Sequence, residues 1–121
     1  MILIDSSVWI DHFHKHDDAL FALLSRERVL THPFVIGEIA LGHLRNRGPI
    51  LRELRKHTQC VIASDDEALQ LIEHEKLAGT GIGYVDAHLL ASVRLTAGSS
   101  LWTHDRRLND VAKRLGIAAK I

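Results

Sequence analysis

The chain has 121 residues with 15 Lys plus Arg against 15 Asp plus Glu, so its formal net charge is zero and no global field draws it onto nucleic acid or an anionic membrane. Any polyanion binding must come from local patches. This length predicts one domain over residues 1–121 with a single core, the lone Cys60 excludes an internal disulfide, and no apolar run approaches the ~20 residues that span a bilayer.

In chain order, short runs rich in branched residues alternate with longer helical patterns, which predicts an α/β domain around a parallel sheet. Strands are expected at residues 2–4, 29–31, 60–63 and 100–103, with a further one at 118–121. Helices are expected at 7–15, 18–26, 33–45, 50–57, 65–78, 84–97 and 107–115. "HPF" puts Pro33 at a helix's first position, where the missing N–H costs nothing, and "RLGI" puts Gly116 where a helix ends. "NRGPI" and "GTGIG" read as breaks between helices, and no repeat, low-complexity tract or linker marks a second domain. The opening "MILIDSSVW" carries no basic leader, and "QCVIA" suits a buried thiol in a reducing compartment, so a cytoplasmic protein is expected.

Four acids sit where acids are costly. Asp5 follows the apolar "MILI", at the carboxyl end of a parallel strand where open α/β sheets bind ligands; a turn acid that caps the next helix is the competing reading. On a helix from Tyr84, Asp86 shares its face with Leu89, Leu90, Val93 and Ala97, so an unpartnered carboxylate there would cost several kcal/mol or stay protonated. Glu38 lies in "PFVIGEIALGHL", a helix apolar on nearly every side, and is expected away from the solvated face. Asp105 stands two residues beyond Thr103 at the exit of the Trp102 strand, so the pair can point into one crevice. Four such carboxylates suggest one site, and a hard divalent cation, Mg²⁺ or Mn²⁺, justifies oxygen-only ligands. Metal-assisted hydrolysis of a phosphodiester is the chemistry such a site suits.

The ordered set "ILIDSSVWID", "FVIGEIALG", "GIGYVDAHLLA" and "LWTHDRRL" resembles the PIN-domain ribonucleases, and most closely the VapC-type toxins of bacterial toxin–antitoxin pairs. The likeness runs from the first strand to the last helix. It implies a three-layer α/β/α sandwich with a mainly parallel five-stranded sheet of order 3-2-1-4-5, a Mg²⁺ or Mn²⁺ site for RNA hydrolysis at Asp5, Glu38, Asp86 and Asp105, a homodimer, and an antitoxin that inserts a C-terminal segment into the site. It also makes Ser6 and Thr103 groups that orient carboxylates. Arg107 departs from the family pattern, standing where many relatives carry a further acid two residues after the last Asp. That puts a fifth ligand, and with it a second metal ion, in question.

Other features take plainer readings. His12, His14 and His16 in "DHFHKHD" read as solvated imidazoles rather than a transition-metal clamp, because no cysteines or second cluster accompany them. Strand alternation turns His104 away from the side of Thr103 and Asp105. Arg52, Arg55 and Lys56 read as a solvated face, Trp9 and Trp102 as core or interface, and Arg106 and Arg107 as residues that can hold a substrate phosphate. Two alternatives stay open: an aspartyl-phosphate phosphatase, which would need Asp-x-Asp where this chain has "DSS", and a metal- or RNA-binding module without turnover.

Overall fold

The computed structural model describes residues 1–121. The elements run β1 (Ile2–Ile4), α1 (Ser6–His14), α2 (Asp18–Ser25), β2 (Val29–Thr31), α3 (Pro33–Ala40), α4 (Arg47–Lys56), β3 (Thr58–Gln59), α5 (Asp65–His74), α6 (Tyr84–Leu95), β4 (Ser100–Trp102) and α7 (Arg106–Arg114). The four strands form one all-parallel sheet of order β3-β2-β1-β4 flanked by helices, a three-layer α/β/α sandwich. Such a sheet is buried on both faces, and its central strands are accordingly continuous apolar runs. Leu3, Ile4, Leu30 and Leu101 join Val8, Ile39, Leu89 and Leu90 in a single buried cluster. α6 is the most deeply set helix, with every residue from Ala87 to Val93 buried. α1, α3 and α4 pack as one group and α5 with α6 as another.

Most departures from expectation are at element ends, and each has a local cause. The fifth strand is a single bridge, Leu101 with Ala118, held by the Leu101 N–H to the Ile117 carbonyl and the Ala119 N–H to the Leu101 carbonyl, both 2.8 Å. The third strand lies at Thr58–Gln59 rather than 60–63. Beyond Cys60 the ladder is replaced: the Val61 N–H donates to the Thr96 hydroxyl and the Ala63 N–H to the Ser92 hydroxyl, so side chains from α6 and its C-terminal end satisfy donors a neighbouring strand would otherwise take. α5 stops at His74 because Lys76 takes a left-handed conformation and the Leu77 N–H closes back on the Ile72 carbonyl. α3 stops at Ala40 instead of 45, and "NRGPI" is no break: Gly48 and Pro49 lie in the first turn of α4, where proline loses nothing. Cys60 is buried, and burial pushes its thiol up to about 11, which keeps it inert at neutral pH.

His32 links β2 to α3. It is fully buried, and its Nδ1 accepts the Phe34 N–H at 3.0 Å, capping the helix. An accepting nitrogen must be unprotonated. Burial, with the neighbouring His88 imidazole in support, lowers its pKa from 6.5 to about 4. The unfolded chain therefore binds a proton between those values that the folded chain refuses, so stability is present above about pH 6.5 and is lost as pH falls towards about 4. His32→Asn keeps an accepting oxygen at the cap. Urea denaturation at stepped pH should show a shallower loss of stability over that window in the variant; identical slopes would remove His32 from the acid response.

Candidate active site

Asp5 leaves β1 at the carboxyl end of the sheet and is buried. It occupies the position before α1 but makes no capping hydrogen bond with its side chain, so the helix-cap reading does not describe it. Its Oδ2 instead accepts from the Ser7 and Thr103 hydroxyls, each at 2.7 Å. Those hydroxyls accept in turn from backbone: the His104 N–H donates to Ser7 Oγ and the Asp105 N–H to Thr103 Oγ1, both at 3.0 Å. Each hydroxyl thus donates its one proton to Asp5 while clamping the segment that follows β4.

The other three acids are each held by a single donor. Glu38 on α3 accepts from the Ser6 hydroxyl at 3.1 Å. Asp86, in the first turn of α6, reaches back to the Gly83 N–H at 3.0 Å. Asp105 caps α7 by accepting the Leu108 N–H at 2.9 Å. Each of the four carboxylates therefore has one oxygen fixed by the protein and a second that receives no protein donor. None has a cationic partner either, since the five ion pairs of the chain lie elsewhere.

The electrostatics follow from this crowding. Partial burial raises the Asp86 carboxyl above the ordinary aspartate range; the Gly83 N–H opposes the rise, and the charges of Asp5 and Asp105 add to it. Burial likewise raises Glu38, with Ser6 opposing and Asp5 and Asp86 adding. These mutual influences place the four acids in one electrostatic neighbourhood. No three of them close to ligating distance of a common point in this arrangement. A set of free carboxylate oxygens with no protein cation is chemically suited to a hard divalent ion.

The expectation for Glu38 needs correction, because the residue is exposed. α3 buries only Val35 and Ile39, while Phe34, Glu38 and Leu41 form a stripe at i, i+4 and i+7 that faces outward. Apolar composition all round did not mean burial all round; only the carboxylate end of Glu38 is crowded. Asp86 is half-buried and Asp105 exposed at the mouth. Ser6 contacts Glu38 rather than Asp5, and Thr103 contacts Asp5. Ser7 was missed: the second serine of "DSS" carries half of the Asp5 clamp, and its spacing two residues on, as with Thr103 and Asp105, was the available signal. His104 turns its ring to Asp11 on α1, away from the acids. Arg106 and Arg107 are exposed in the first turn of α7 and pair with no acid.

A family model described as PIN domain matches residues 2–114. The chain is 42% identical over 118 residues to Ribonuclease VapC32 of Mycobacterium tuberculosis, in both the CDC 1551 / Oshkosh and H37Rv strains, covering 98% of this chain and 95% of the relative.

Between the unfolded and the raised folded pKa of Glu38 and Asp86, the native state keeps protons the unfolded chain has lost, so stability falls as pH rises through that window. Glu38→Gln and Asp86→Asn should raise the thermal midpoint of metal-free protein by a few degrees at neutral pH and by nothing near about pH 4, measured by calorimetry. Thr103→Val removes one donor to Asp5 and the acceptor of the Asp105 N–H; Mn²⁺ affinity by titration calorimetry should drop by about 10–100-fold with the fold retained. An unchanged affinity would show that the clamp does not orient Asp5.

Proposed function

The chain belongs to the PIN-domain family, as a VapC-type member, and from that premise we propose that it is a divalent-metal-dependent endoribonuclease acting as the toxin of a toxin–antitoxin pair. The observation that carries the reading is the group of four carboxylates, each with one oxygen tied and one free, and without any neutralising cation. Asp5, Glu38, Asp86 and Asp105 would hold Mg²⁺ or Mn²⁺. A bound divalent ion supplies an activated water and offsets the charge that develops on the oxygens of the reacting phosphodiester.

The chain's own residues do the positioning. Ser7 and Thr103 fix Asp5, Ser6 fixes Glu38, and the Gly83 N–H fixes Asp86, so one oxygen of each is held by the protein and the other is left to turn toward an ion. Arg106 and Arg107, unpaired beside Asp105, hold the substrate phosphate. The phosphatase alternative finds no support, since Ser7, at the place of a second acid, donates its proton to Asp5. No helix is long and apolar enough to cross a membrane. A single domain working in the cytoplasm as a homodimer, restrained by a cognate antitoxin protein that covers the acids, completes the reading.

The test is cleavage of single-stranded RNA by purified protein with Mn²⁺ or Mg²⁺, followed by gel, beside growth of cells expressing the protein. Asp5→Asn and Asp86→Asn should each lower cleavage at least a hundredfold and relieve growth arrest, EDTA should stop the wild type, and circular dichroism should be unchanged. Full cleavage or full toxicity in either variant would falsify the assignment.

A further inference from the structure

Arg107 lies over a glycine. It extends from the first turn of α7 across to the loop between α5 and α6 and lies against Gly81, where a β-carbon would meet its Cδ and its Nη1 each at 2.9 Å and its Nε at 3.2 Å. Gly81 also has φ +87°, a backbone conformation that side chains oppose. Two residues on, the same loop gives the Gly83 N–H to Asp86. One short stretch of chain therefore binds an acid and lies against a cation.

That cation is uncommitted. Asp105 is two residues away and Asp110 lies one helical turn on, yet Arg107 forms no ion pair and donates no hydrogen bond to the protein. With its side chain against Gly81, the guanidinium lies over the loop between α5 and α6 and is in no ion pair with a carboxylate. Its planar fork of donors matches a phosphate, and the preset position lowers the entropy lost on binding.

We propose that Gly81 is the seat of Arg107: it positions the guanidinium to bind one phosphate of single-stranded RNA adjoining the acidic site and prevents it from neutralising Asp86 and Asp105. The inference rests on the ribonuclease reading above and assigns Gly81 as a positioning residue that acts through Arg107. The loop offers an internal control, because Gly79 has a similar φ of +79° and a β-carbon there meets nothing within 4 Å. Gly79→Ala and Gly81→Ala both place a side chain at a similar positive φ, and only the second meets Arg107.

The experiment measures equilibrium binding of a fluorescent single-stranded RNA in EDTA across a KCl series, with kcat and KM for Mn²⁺-supported cleavage of the same RNA. Arg107→Ala should weaken binding about tenfold at low salt and reduce the slope of log K against log salt by about 0.7, the loss of one phosphate contact. Gly81→Ala should reproduce both changes and raise KM more than it lowers kcat, the double variant should bind no more weakly than Arg107→Ala, and Gly79→Ala should bind as the wild type does. Gly81→Ala binding like the wild type, or Gly79→Ala weakening binding equally, overturns the seat while wild-type cleavage leaves the ribonuclease reading standing. Wild-type protein that neither binds nor cuts RNA overturns both.

Discussion

The parallel pairing of β1 with β4 is the constraint on which the site depends. Its register sets Ile4 beside Trp102, and the Asp5 N–H continues the ladder to the Trp102 carbonyl at 2.9 Å. Asp5 and Thr103 therefore emerge side by side from adjacent strands, close enough for the Thr103 hydroxyl to bind the Asp5 carboxylate. Because side chains alternate with period two, a slip of one residue would turn Thr103 to the other face and remove both the donor to Asp5 and the acceptor of the Asp105 N–H. The apolar set Leu3, Ile4 and Leu101, all fully buried, fixes that register through the hydrophobic core. Packing energy spread over the core thus specifies hydrogen bonds at its edge.

Around that pair the fold gathers like charges, which opposes folding. Asp86 and Glu38 are raised by burial and by the other acids, and no Lys or Arg offsets them. What makes the arrangement tolerable is a set of neutral donors: hydroxyls on Asp5 and Glu38, and backbone N–H groups on Asp86 and Asp105. Such donors stabilise the charged form without cancelling it. A cation from the protein would have stabilised the chain further and removed the negative potential on which a divalent ion depends. Arg107, lying against Gly81, likewise forms no ion pair with the acids.

Much of this was legible in the residues. "MILID" and "LWTHD" announced strands ending in acids, because a parallel strand is apolar for as long as it is covered on both faces and admits a carboxylate only where it leaves the core. Asp86 was legible through its helical neighbours Leu89, Leu90 and Val93, which the fold does bury. Glu38 was legible as an anomaly for the wrong reason: its helix looked buried all round, and packing against α1 and α4 covers only Val35 and Ile39. Helix ends were missed where a residue other than glycine takes the left-handed conformation, as Lys76 does after α5 and Asn46 before α4. Such turns are set by what packs around them rather than by the residue's own preference. The short third strand was unpredictable for a related reason, because its continuation is bonded by Ser92 and Thr96, far along the chain from Val61 and Ala63.

By itself, the sequence determined the class of the fold and singled out four acids in costly positions, since hydrophobic periodicity and the cost of misplaced charge are local properties that a single chain displays. Only the tertiary structure decided which atom holds which. That Ser7 and Thr103 share Asp5, that Ser6 turns to Glu38, and that Arg107 rests on Gly81 are contacts between residues remote in the chain or equivalent within it. Their geometry comes from strand register and helix packing, which are fixed by the sum of many weak contacts across the core.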